Sequence, residues 1–408
     1  MFKKRFSMMT VLVACLCAIV VTLGAIFYSM ERITGDALGS LKFLKTLVLV
    51  REKFVEQPSD GKLFDGAATG LVKALDDPYS VYLDQQSFKD ISNVTEGFFG
   101  GIGVVVGKKE NNFVVVAPLE GTPGEKAGIK AGDKIVQVDG KKTAGMQLED
   151  VVGMIRGTQG TEVELVLDDN KGNERTVRVV RGDIKIKSVA GEMLPDSRIG
   201  YIRIAIFNEN TSGEFAKKYQ ELEEQGMQAL LLDLRQNPGG ILGESVRVAQ
   251  YLVPKGPIVS VIDREGRKYT EESYLEQVKY PLAVLVDHGS ASASEIVAGA
   301  VQDTKSGKLF GTRTFGKGSV QTVYRLPQNT GLKLTTAKYY TPSGRSINGT
   351  GITPDEVVEL PEQPTKDIQL ETAENYYVIC RNNNLRTNAF KHWFFCFCYI
   401  FMIKYLSI

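Results

Sequence analysis

Pro281-Leu282-Ala283-Val284-Leu285-Val286 carries no polar side chain. An extended segment of that kind has no face to offer water, so it must be covered on both sides, as in a mixed α/β layer structure. It runs into Asp287-His288-Gly289-Ser290-Ala291-Ser292-Ala293-Ser294, a loop of small residues with three serines, and a helix is predicted from Glu295 to Asp303. Lys317 follows Ser292 by 25 residues inside the glycine-flanked Phe315-Gly316-Lys317-Gly318 turn. A serine at a helix start and a lysine on a nearby loop can form a nucleophile and its base without histidine. That matters in a chain with only 2 histidines.

The 408 residues, 43% hydrophobic and 24% charged, allow two or three globular units. A net charge of +1 gives no reason to expect a nucleic-acid partner. Cys15 and Cys17 lie in the apolar N-terminus, and Cys380, Cys396 and Cys398 near the other end. From Glu31 to Val378 there is no thiol, and His288 is the sole histidine. Cysteine-protease chemistry, Cys/His zinc sites and structural disulfides are thereby disfavoured, and no metal or other cofactor is expected. Lys3-Lys4-Arg5 precede an uncharged apolar run from Phe6 to Met30, long enough for a bilayer span. The basic flank favours a retained single-pass anchor with everything after Glu31 extracytoplasmic. Cleavage near Thr22-Leu23-Gly24-Ala25, or lipidation at the Leu12-Val13-Ala14-Cys15 box, are the alternatives.

Residues 31–95 read as a helical arm, with helices expected over Ile33–Glu56 and Phe64–Leu75, ending at Asp76-Asp77-Pro78-Tyr79-Ser80. The arm suits either homodimerisation or packing against the body. Residues 96–182 open with Gly97-Phe98-Phe99-Gly100-Gly101-Ile102-Gly103-Val104 and continue as five short strands, with a helix over Leu148–Ile155. With Ala127-Gly128-Ile129 and Gly132-Asp133-Lys134-Ile135, this unit resembles a PDZ domain. By that resemblance Gly100, Gly101, Ile102, Gly103 and Val104 form the loop whose backbone N–H groups bind a peptide's terminal carboxylate, while the next strand accepts the peptide as an added strand. Arg156, just past the helix, is a candidate to sense that binding by changing its partners. Residues 183–362 read as the α/β core, with strands over Ile199–Phe207 and Ala229–Leu234 and helices over Thr211–Gln225 and Ser245–Leu252. In the tail, 363–408, the aromatic run Trp393 to Ile403 is too short to span a membrane and suggests no role.

The serine loop, Asn237-Pro238-Gly239-Gly240 and Phe315-Gly316-Lys317-Gly318-Ser319-Val320-Gln321 together resemble the carboxyl-terminal processing, or tail-specific, proteases, over roughly Phe64 to Leu360. The resemblance implies a crotonase-like α/β core and a serine endopeptidase with Ser292 as nucleophile, Lys317 as base and Gln321 orienting the lysine. It also implies an oxyanion hole from the N–H of Ala293 and one from Gly239 or Gly240, and protein or peptide substrates with free apolar C-termini. The residues agree: Phe315, Gly316, Gly318 and Val320 bring no carboxylate to keep the lysine charged. Read alone, Ser292-Ala293-Ser294-Glu295 is equally a capping box, and Ser290 and Ser294 compete with Ser292. His288, four residues before Ser292, reads as local packing. Gly311 to Lys317 fits a P-loop only up to the lysine, since Gly318 stands where Ser or Thr must hold magnesium. A membrane-tethered PDZ scaffold with a dead protease core is the alternative function.

Overall fold

The computed structural model describes residues 8–109, 112–119, 121–169, 172–359, 361 and 366–377. The aromatic run of the tail lies outside them. The chain divides into two compact units, Met1–Ala74 and Leu75–Ile408.

In the first unit, helix Met8–Thr34 has a mean hydropathy of 2.7 over its most apolar stretch, no buried residue, and the length to cross a membrane. The second helix does not start at Ile33 as expected. Gly35 (φ +73°) ends the first helix, and Asp36 caps Ala37–Lys53, its carboxylate accepting the Gly39 N–H at 2.8 Å. Ser59 likewise starts the third helix at Asp60 rather than Phe64 (Asp60–Lys73) by accepting the Lys62 N–H at 3.3 Å.

The second unit is built on a six-stranded sheet. Its order is Val189–Met193, Ile199–Ile204, Ala229–Asp233, Leu282–Val286, Lys308–Gly311, Glu356–Val357. The first pair is antiparallel and the others parallel. The all-apolar strands are covered on both faces, as their composition demands. Leu230, Leu232, Val284 and Val286 pack into one core with helices Thr211–Glu224, Leu242–Ala249 and Ala293–Thr304. Leu231, Ala283 and Leu285 pack into another with Phe310 and Ala373, the latter on the helical stretch 368–377. Catalytic loops of parallel sheets sit outside the strands' carboxyl ends. Arg235–Gly240 follows Ala229–Asp233 there, and Asp287–Ser292 follows Leu282–Val286.

A five-stranded antiparallel sheet adds the second wall, with Thr330–Tyr340 pairing with Val81–Leu83, Gly256–Asp263 and Ser319–Leu326. Val81–Leu83 and the following helix Gln85–Glu96, grouped with the arm in the sequence, are thus part of this unit. The glycine-loop region forms its own six-stranded sheet with helix Leu148–Ile155, around Phe113, Ile135, Val151, Val163 and Leu165. Both its ends leave through one two-stranded ribbon, Phe98–Gly101 against Gly182–Lys185.

Candidate active site

A cleft of about 610 Å³ is lined by Ser292, Ala293, Gly240, Lys317 and Gln321, with apolar cover from Phe207, Ile241, Ile296 and Val320. Ser292 stands at the N-terminus of helix Ala293–Thr304 with φ +54° and ψ −112°, a conformation an L-residue adopts only when its surroundings impose it. They do. Its N–H donates to Glu295 Oε2 at 2.8 Å, and its carbonyl accepts the Tyr339 hydroxyl at 3.0 Å and the N–H groups of Glu295 and Ile296 at 2.8 and 3.0 Å. The side chain approaches the Glu295 N–H as in a capping box, yet forms no cap hydrogen bond.

The neighbouring serines are occupied elsewhere. Ser290 and Ser294 are fully buried. Ser290 Oγ donates to the Leu234 carbonyl at 2.8 Å and accepts the Asp287 N–H, while Ser294 Oγ donates to the Asn237 carbonyl at 2.9 Å. Both tie the serine loop to the segment Leu234–Gly240. Asn237, wholly buried, ties it further: its carbonyl accepts the Ala291 N–H, its Nδ2 donates to Ile204 O, and its Oδ1 accepts the Gly239 N–H at 2.9 Å. Of the two glycines offered by the sequence as oxyanion donors, Gly239 therefore has its N–H engaged, which leaves Gly240. A Cβ on Gly240 (φ +140°) would stand 2.0 Å from the Phe207 carbonyl, so only glycine fits there.

Lys317 is half-buried, and two effects push its pKa down: burial first, then the positive charge of Lys333, against Asp77 and Glu295 which pull it up. Its Nζ lies 4.8 Å from the centroid of the Tyr79 ring. Gly316 (φ +91°) lets the loop press against Thr350 and Gly351, whose N–H groups a Cβ would meet at 3.1 and 2.8 Å. Gln321 lines the cleft, and its amide nitrogen donates to the hydroxyls of Ser319 (2.9 Å) and Thr335 (3.2 Å), so its carbonyl oxygen is the end able to accept from an ammonium.

Glu295, seen in the sequence only as the far end of a capping box, is the hub between the two loops. Its wholly buried carboxylate accepts the N–H of Ser292, the Thr314 hydroxyl (2.6 Å) and the N–H groups of Gly316 (2.7 Å) and Lys317 (2.9 Å). The sequence also gave no sign that Ile91, Val94 and Thr95, on helix Gln85–Glu96, line the cleft. His288, expected to pack locally, is exposed and borders a separate hollow with Gln236 and Asp287.

In the inserted unit Gly101, Ile102 and Gly103 are buried. The Ile102 carbonyl accepts the Gly124 N–H, and that of Gly103 the Leu119 N–H and Thr122 hydroxyl. Val104 starts the next strand, and the Arg156 guanidinium lies 4.9 Å from the Phe99 ring centroid, against the Phe98–Gly101 ribbon.

A serine loop and a lysine loop on one cleft, with an inserted glycine-loop sheet in the same unit, point to a class of protein, and the comparisons agree with it. Residues 198–358 match the model of peptidase family S41, 114–168 a PDZ domain, and 30–87 the N-terminal domain of the activating protease CtpB. The chain belongs to peptidase family S41. It is 41% identical over 323 residues to a carboxy-terminal-processing protease of Bartonella bacilliformis, covering 76% of this chain and 73% of that one. It is 37% identical to the carboxy-terminal processing protease CtpA of Bacillus subtilis, covering 81% and 71%. A solved Bacteroides fragilis protein assigned to the S41 proteases shares the fold, with a TM-score of 0.53 at 16% identity over 82% of this chain and 96% of that one.

Proposed function

We propose that this chain is a membrane-tethered serine endopeptidase that processes extracytoplasmic proteins after its PDZ unit has engaged their free apolar C-termini. Ser292 is the nucleophile, neutral Lys317 its base, and Gln321 the group that orients Lys317. The N–H groups of Ala293 and Gly240 receive the oxyanion, in a crotonase-like core. Lys317 takes the hydroxyl proton as Ser292 Oγ attacks the scissile carbonyl, then hands it to the departing amine; water, deprotonated in turn by Lys317, releases the acyl group. The Gly100–Val104 loop holds the terminal carboxylate, and Arg156 reports it by leaving Phe99 for a new partner. No cofactor takes part.

The observation that carries this reading is that Ser292 alone of the three serines opens onto the cleft, in imposed backbone strain, with Lys317 lining the same cleft. The experiment is cleavage of an unstructured protein by the parent and by single variants. Ser292→Ala and Lys317→Ala each lose turnover by about three orders of magnitude or more and stay folded. Turnover retained in Ser292→Ala would end this assignment in favour of Ser290 or Ser294. A folded chain that binds C-terminal peptides but never cleaves would make it a tethered PDZ scaffold.

A further inference from the structure

The Asp77-Pro78-Tyr79-Ser80 turn marked only the end of a helix in the sequence. In the structure it is anchored beside the lysine loop. Ser80 Oγ donates to Asp77 Oδ2 at 2.5 Å and accepts the Thr335 N–H at 3.0 Å. Thr335 is also the residue whose hydroxyl receives the Gln321 amide, so one strand position holds both the turn and Gln321. The anchoring delivers the half-buried Tyr79 ring over Lys317 Nζ, at 4.8 Å. We propose that Tyr79 is a positioning residue whose ring face sets how readily Lys317 gives up its proton. This rests on Lys317 being the base.

A ring over an ammonium acts in two opposed ways. As apolar cover it excludes water and disfavours the cation. Through the negative face of its π system it attracts the cation and favours it. The other charges facing Lys317 are Lys333 on strand Thr330–Tyr340, Asp77 on the turn and Glu295 on the nucleophile helix. Burial pushes the Asp77 carboxyl up, and bonds from Ser80, Thr335 and the Tyr79 and Ser80 N–H groups outweigh this, so it stays ionised at neutral pH. Tyr79 is the group that can be changed without altering any of these charges.

The two actions of the ring separate by substitution. The measurement is kcat/KM against pH for the full-length protein in detergent, on an internally quenched peptide with a free apolar C-terminus. Tyr79→Leu keeps apolar bulk and loses the π face, so the rising limb moves to lower pH by roughly half a unit or more. Tyr79→Ala loses the π face as Leu does but also admits water, so its limb lies at higher pH than that of Tyr79→Leu. Tyr79→Phe keeps the ring and restores the parent limb. If the Ala variant does not fold, the Leu variant decides alone: a limb at the parent position or above it overturns the proposal. Limbs of the Leu and Ala variants that coincide with the parent, or an Ala limb at or below the Leu limb, also overturn it. Lys317→Ala separates the two readings. If it retains turnover, Lys317 is not the base and the underlying assignment falls. If it is inactive while the Tyr79 limbs stay fixed, only the role of Tyr79 falls.

Discussion

At Ser292 the backbone is held where an L-residue costs about 1–3 kcal/mol, by four hydrogen bonds to its own N–H and carbonyl. Glycine bears that conformation without the penalty. Ser292→Gly should therefore be more stable than Ser292→Ala by about 1 kcal/mol in urea unfolding, with both inactive. Equal stability would mean that the strain is not stored at this residue. Lys317 gives a signed test of the same kind. Its folded-state pKa lies below the unfolded value, so the unfolded chain binds the proton more readily and stability rises with pH through that interval. Lys317→Met removes the penalty. It should be more stable than the parent at pH 7, by a margin that shrinks as pH approaches the ordinary lysine range near 10. The sequence offered both residues, but only the family resemblance singled out Ser292 among three serines spaced two apart. The choice depends on which hydroxyls meet the Leu234 and Asn237 carbonyls, more than fifty residues away in the chain.

Among the elements, helix Ala293–Thr304 and the strands around it were legible because an unbroken apolar strand and a serine-started helix are local signals. Helix Gln85–Glu96 was not: Ile91 and Val94 are its only aliphatic residues of large size, and its start is an Asp84 cap accepting the Ser87 N–H at 2.8 Å. The short ribbon strands Phe98–Gly101 and Gly182–Lys185 were equally silent, since four residues carry no usable period. Glu295 was visible as a cap and invisible as a clasp, because three of its four donors are backbone groups or a threonine brought in by the Thr314–Lys317 loop. A neutral amide cannot replace it, as it has a single acceptor oxygen and turns an NH2 toward N–H donors. Glu295→Gln is expected to cost about 2–4 kcal/mol in unfolding free energy. It should also lower kcat roughly a hundredfold, by letting the serine and lysine loops drift apart. Parent-like kcat in the folded variant would show that the clasp serves stability alone.

Across the whole molecule, recognition and cleavage are expected to sit in separate units. A peptide ending in a free carboxylate should be cut faster at an internal bond than its C-terminal amide at subsaturating concentration. Equal rates would mean that the inserted unit neither selects nor gates. The ribbon by which that unit is joined has a further implication. Gly101 and Gly182 are register partners, so the two breaks in the core chain lie side by side like the ends of a hairpin whose loop is eighty residues long. Replacing 102–181 with Asn-Gly should close an ordinary two-residue turn and leave the core able to fold. On the proposed function the inserted unit would then be an interchangeable cassette: a different peptide reader with adjacent termini, spliced at the same two glycines, should change which tails are chosen and leave the proposed cleaving residues untouched.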